Sequence, residues 1–273
     1  MHYTELLKAR EELTGPGGDF EIVEADVLGN TLRVYKNAPP SIRELWLSTL
    51  QYAERPYLVY EEETLTYAET HQRTNALAAW MFAQGVKPGD RVAVAMRNYP
   101  EWMQIYWSCA SVGIVVVGMN AWWTPEEMAY ALKDSEPKVL FVDSERLERV
   151  RAIGDIGDIK LVGVRLPDVP DDVTPWDEVI AHGGDLPTVT VDPDADACIF
   201  YTSGTTGFPK GAQLTHRGCV ANLFNLMFSS ASTALATQWA TGEEPPEEPP
   251  VPVGLITTPL FHVTANNCAA YLL

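Results

Sequence analysis

The chain has 273 residues, 46 % of them apolar, which is enough for one large domain or two small ones with a substantial core. Lys and Arg total 19 against 37 Asp and Glu, a formal net charge of −18. A surface this acidic repels the phosphates of nucleic acids and of anionic membranes, so neither is expected as a partner, although a local nest of backbone N–H groups can still hold an anionic ligand.

Residues 1–40 are mixed and turn-rich ("TGPGGD", "KNAPP") and read as a lead-in that wraps a larger body beginning at residue 41. "SIRELWLSTLQYA" has Ser at its start, Glu three residues later and apolar residues at helical spacing, which predicts a capped amphipathic helix. "YLVYEEETLTY" predicts a hairpin with an acidic turn, and "YAETHQRTNALAAWMFAQG" a helix that stops at Gly85. An alternation follows. The strands are "RVAVAM", "IVVVGM", "KVLFVD" and "IKLVGV", and the helices between them are "PEWMQIYWSCASVG", "TPEEMAYALKDS" and "SERLERVRAI". Pro100 suits a first helical turn, and Thr124 with Pro125 reads as an N-cap followed by the first helical position. Continuous apolar strands alternating with helices predict an α/β fold, a mostly parallel sheet covered by helices on both faces.

"DACIFYT" (196–202) is the next strand, "GAQLT" a short return strand, and "HRGCVANLFNLMFSS" a helix with Thr215 as N-cap. The acidic, Pro-rich stretch 241–254 reads as a solvated surface loop, and "LITTPLFHV" as a strand ending in a turn. The apolar ending "NNCAAYLL" leaves a face that wants burial, and an incomplete domain is expected. The N-terminus has no apolar stretch of signal-peptide type, and the longest strongly apolar run, "VGIVVVGM", is too short to cross a bilayer. The expectation is a cytoplasmic protein with no integral membrane segment. Cys109, Cys198, Cys219 and Cys268 form no CxxC pair and read as buried free thiols. The five His show no metal-ligand spacing.

The stretch between the strand and its return, "YTSGTTGFPKG", carries the chemistry. It matches neither GxxxxGK[ST] nor GxGxxG, and no GxSxG occurs. Its content still suits a polyphosphate. Gly204, Gly207 and Gly211 permit φ > 0 and close approach, and Thr202, Ser203, Thr205 and Thr206 offer hydroxyls. Lys210 adds a movable positive charge, and Pro209 stiffens the approach to it. The alternative is a flexible polar turn between two strands.

The same eleven residues closely resemble the signature loop of the adenylate-forming superfamily, which includes acyl-CoA synthetases, aryl-CoA ligases, luciferases and peptide-synthetase adenylation domains. "LTYAE" (65–69), residues 85–102, residues 120–143 and "PLFH" (259–262) agree in order and spacing, so the resemblance covers about residues 40–273. It implies the N-terminal part of the large adenylate-forming domain (41–273 here) in a protein that uses ATP, Mg²⁺ and coenzyme A. It implies that a carboxylate is activated as an acyl-adenylate and passed to a thiol. Carried over by position, Thr202, Ser203, Gly204, Thr205, Thr206, Gly207 and Lys210 would form the phosphate loop, with Lys210 catalytic. Thr202 would lie near Mg²⁺, and His262 beside the acyl group, unless it simply caps a strand end. Trp122 and Trp123 would line an acyl tunnel or serve as packing. The wording of "PLFHV" and "NAWWTPEE" leans toward a fatty acid, and a homodimer is left open.

Three family stretches are missing: a YGxTE-like Glu for Mg²⁺, an RTGD-like Asp for the ribose, and a C-terminal small domain with a catalytic Lys. Two readings follow. The chain is either the N-terminal part of an acyl-CoA ligase, inactive by itself, or a non-catalytic nucleotide-binding fragment or half of a split enzyme.

Overall fold

Helix-start signals in this sequence become capped helices, and its uninterrupted apolar runs become buried strands. The computed structural model describes residues 3–202, 208–242, 251 and 253–266. In the lead-in, α1 (Tyr3–Thr14) is followed by an antiparallel hairpin of β1 (Ile22–Val27) and β2 (Asn30–Tyr35). α2 (Ile42–Ser48) is capped by Ser41, whose hydroxyl accepts the Arg43 N–H at 3.1 Å. The single helix expected over 41–53 breaks here into α2 and a 3₁₀ turn, Thr49–Tyr52, where the Thr49 hydroxyl donates to the Trp46 carbonyl. β3 (Pro56–Tyr60) and β4 (Glu63–Thr66) form the expected hairpin. α3 (Tyr67–Ala83) starts with a capping box between Thr66 and Glu69, and Gly85 follows it at φ +83°.

The alternation then appears as read. β5 (Arg91–Ala95), α4 (Pro100–Ser111), β6 (Val115–Gly118), α5 (Pro125–Ser135), β7 (Val139–Val142), α6 (Ser144–Ile153) and β8 (Lys160–Gly163) follow one another. A short β9 (Thr174–Pro175) and α7 (Trp176–Ala181) come next, and at two and six residues both are too short for their spacing to announce them. β10 (Asp196–Thr202), β11 (Lys210–Thr215) and α8 (His216–Thr241) follow, and residues 263–266 form a helical turn. α8 begins on its Thr215 cap, as expected, and runs eleven residues past the predicted end at 230.

Seven strands form one sheet in the order β11-β10-β6-β5-β7-β8-β9. All pairs are parallel except the edge pair β10–β11. Alternate residues serve opposite faces. Val92, Val94, Val116 and Phe200 face α3, α4 and α8, whereas Ala93, Ala95, Val117 and Ile199 face α5 and α6. Every residue of α4 is buried. β5 starts the winding: β6 lies on one side of it and β7 to β9 on the other, so the order reverses between β5 and β7. Ligands of doubly wound sheets bind at the carboxyl ends of the strands beside such a reversal.

The lead-in packs on α8. Phe20 meets Phe224 and Phe228 with ring centroids 6.0 and 5.5 Å away, and the Tyr35 hydroxyl donates to Asn225 at 2.7 Å. α8 is long and apolar enough to pass for a membrane span, with a mean hydropathy of 1.3 over its best window. The sequence reading missed this because scattered Leu, Phe, Met, Val, Cys and Ala carry it, interrupted by Ser, Thr and Asn, rather than one continuous apolar run. One side of this helix is occupied by α1, α2, β2 and β10. Cys109, Cys198 and Cys219 are buried free thiols; Cys268 lies outside the described residues.

Candidate functional site

The phosphate-loop candidates hang from the β10–β11 hairpin. Thr202 and Lys210 are directly opposite one another in the ladder, and the Thr202 hydroxyl donates to the Lys210 carbonyl at 3.4 Å. The two residues close the loop at its root and put a hydroxyl and an ammonium group at its mouth. Lys210 is exposed and makes no ion pair among the described residues. Ser203, Gly204, Thr205, Thr206 and Gly207 lie outside the described residues. Gly211 departs from expectation. It sits in β11 and not in a positive-φ turn. Its missing side chain leaves room instead: a Cβ there would stand 2.8 Å from Ile199 Cγ2 and 3.5 Å from the Tyr201 ring.

His262 belongs to a turn at the carboxyl ends of the central strands. The stretch "LITTPLFHV" is not a strand among the described residues. Pro259 has no N–H to give a ladder. The neighbouring backbone groups are taken by one side chain: the Asn98 amide donates to the Thr258 carbonyl and accepts the Leu260 N–H, both at 2.8 Å. Gly118, the last residue of β6, lets the turn sit down. A Cβ there would come within 3.0 Å of the Phe261 carbonyl oxygen and 2.9 Å of the Phe200 ring. The His262 Nδ1 accepts the Thr264 N–H at 3.3 Å, which leaves Nε2 as the ring nitrogen that can donate. His262 thus caps a helical turn, not a strand, and its ring is exposed. Asn98 and Gly118 are site residues the sequence did not disclose, since each acts on a segment more than a hundred positions away.

A buried ion pair underlies this end of the sheet. Asp143, just past β7, caps α6 and accepts the Arg97 N–H at 3.0 Å. Arg146 is 1 % exposed, lies 3.0 Å from the Asp143 carboxylate and donates to the Ala121 carbonyl. The two tryptophans separate. Trp123 is buried edge-on to Tyr201, whereas Trp122 stays half exposed between Phe261 and the Arg97 guanidinium, 5.3 Å from its ring.

Among the described residues no group of three or more His, Cys, Asp or Glu is placed to hold a metal ion. Thr202 offers one hard oxygen, a donor type Mg²⁺ accepts when phosphates and water supply the remainder. The site fits a phosphate-bound Mg²⁺ and does not form a cage of its own.

The family model described as AMP-binding enzyme matches residues 46–273, and the chain belongs to that family. It is 36 % identical over 202 residues to a feruloyl-CoA synthase of an Amycolatopsis species, covering 74 % of this chain and 35 % of that one. It is 32 % identical over 207 residues to a long-chain-fatty-acid–CoA ligase of Thermus thermophilus, covering 75 % and 35 %. Among solved structures, a long-chain-fatty-acid–CoA ligase of Archaeoglobus fulgidus superposes with a TM-score of 0.65 at 22 % identity, over 85 % of this chain and 45 % of that one, a likeness of fold. The chain spans about a third of the length of the curated relatives it matches.

Proposed function

We propose that residues 41–273, with 1–40 as lead-in, are the N-terminal part of the large domain of an ATP-dependent acid–thiol ligase. A carboxylate oxygen attacks the α-phosphorus of ATP, pyrophosphate leaves with the bond electrons, and an acyl-adenylate forms. The thiolate of coenzyme A then displaces AMP from the acyl carbon. Adenylation is needed because a free carboxylate has no usable leaving group. Negative charge grows on the departing pyrophosphate, so preorganised donors around it are worth most.

The observation that carries this reading is the hairpin root, where Thr202 and Lys210 stand opposite one another at the mouth of a Gly- and Thr-rich loop. The Thr202 and Lys210 side chains, with Ser203, Gly204, Thr205, Thr206 and Gly207, hold the β- and γ-phosphates in this proposal. The Thr202 hydroxyl would help to hold Mg²⁺, which would neutralise part of the phosphate charge. His262 lies beside the acyl group and donates from Nε2. The carboxylate is a fatty acid, a reading supported by the wording of "PLFHV" and by the Thermus relative. The feruloyl-CoA synthase relative favours a second reading, an aryl-substituted acid. The work is cytoplasmic, where ATP and coenzyme A are at hand.

Equilibrium binding of ATP to the chain and to its Lys210→Ala variant tests the loop. Binding weakened by about tenfold or more in the variant is expected. Equal affinity would remove Lys210 from the site. Nucleotide binding without ATP–pyrophosphate exchange for any carboxylate would mark this chain as a binding fragment that needs the remainder of a ligase.

A further inference from the structure

α5 does more than cover the sheet. Its Met128, Ala131 and Leu132 are buried against the strands. Tyr130 and Asp134, four residues apart and so neighbours on one helix face, both reach the phosphate-loop hairpin. Tyr201 is the residue before Thr202. Its hydroxyl donates to Asp134 Oδ2 at 2.7 Å, and Trp123 packs edge-on against its ring at 5.3 Å. Phe208 follows the last loop glycine. Its ring stacks on Tyr130 with centroids 4.9 Å apart and planes 28° apart, although Phe208 is 61 % exposed. An exposed ring gains little from burial, so its placement comes from the stack. The helix itself is fixed at both ends. Thr124 and Glu127 form a capping box, and Glu136 takes the left-handed conformation at the C-terminus.

We propose that α5 is the positioning element of the phosphate loop, with Tyr130–Phe208 and Asp134–Tyr201 holding its two ends. The inference rests on the loop being the triphosphate site. Preorganised donors stabilise charge without reorganising at the moment of reaction. A loop rooted only in the edge hairpin would present them less well. Gly211 belongs to the same arrangement, because a side chain there would push against Ile199 and the Tyr201 ring.

The test uses Phe208→Ala, which removes one anchor, and Tyr201→Phe, which keeps the ring and loses the bond to Asp134. Phe208→Tyr keeps the stack and serves as the rescue. Backbone hydrogen exchange is read across residues 201–210, together with ATP affinity and the thermal midpoint. Faster exchange in both anchor variants and roughly three- to tenfold weaker ATP binding are expected, with an unchanged midpoint and wild-type behaviour in Phe208→Tyr. Wild-type exchange across 201–210 in both anchor variants would overturn the proposal, as would unaltered ATP affinity in a chain that binds ATP. A wild-type chain that binds no ATP would overturn the functional reading instead, while the exchange measurement still judged the anchoring.

Discussion

The two candidate groups are held in opposite ways. Lys210 stands at the edge of the sheet, on an exposed antiparallel strand, and its loop meets the body through aromatic rings and one phenol hydroxyl. His262 stands over the middle of the sheet, on a turn whose backbone is gripped by Asn98 and seated on Gly118. The edge hairpin takes its placement from side-chain contacts with α5, whereas the turn is fastened through its backbone to buried parallel strands and cannot move without them. The proposed roles fall on the two sides of this contrast, the polyphosphate at the hairpin and the acyl group at the turn.

The largest effect is expected beneath the rigid half. Arg146→Met leaves the Asp143 carboxylate, 5 % exposed, without its partner. Breaking a buried pair from one side costs about 3–5 kcal/mol. Urea unfolding should show that loss, and a loss under 1 kcal/mol would mean that the Arg97 N–H and the α6 cap satisfy Asp143 alone. Acid comes next. Burial holds His71 and His216 at a pKa of about 4, below the usual 6.5. The unfolded chain then binds more protons between those values, so stability is full above pH 6.5 and falls as pH drops toward 4. The slope is roughly 1.4 kcal/mol per unit for each histidine. His216→Leu should flatten that decline, since neither ring nitrogen of His216 has a partner among the described residues. An unaltered pH profile of the thermal midpoint would exclude it as a source.

A smaller change is expected at Asn98. Asn98→Ala strands the buried Leu260 N–H and should cost about 1–3 kcal/mol. Exchange should rise in residues 258–262 and stay level at 201–210, and a rise in both would mean that the two halves are not held independently. Lys210→Ala should be the mildest. Its side chain is exposed and unpaired among the described residues, so unfolding should shift by less than about 0.5 kcal/mol while ATP binding suffers.

What could be read from the sequence follows the range of each interaction. The caps at Ser41, Thr124 and Thr215 and the four central strands are set by neighbours within a few residues, and spacing alone discloses them. The candidate phosphate loop stands out because its residue types crowd into one stretch. α1, the β1–β2 hairpin and α7 were not, because they take their order from packing, as in Phe20 against Phe224 and Phe228. "LITTPLFHV" reads as a strand by composition, yet Asn98 outbids any ladder for its backbone. Gly211 looks like a turn glycine and proves to be a spacer under Tyr201.

The grip of Asn98 on residues 258–260 also dictates an order of assembly. β5 to β9 pair among themselves within one continuous stretch of chain, and β10 then reaches back to β6. The partners of Asn98 arrive some 160 positions later. A chain synthesised from its N-terminus can therefore build most of the sheet first. The turn that carries His262 is fastened afterwards, to strands already in register.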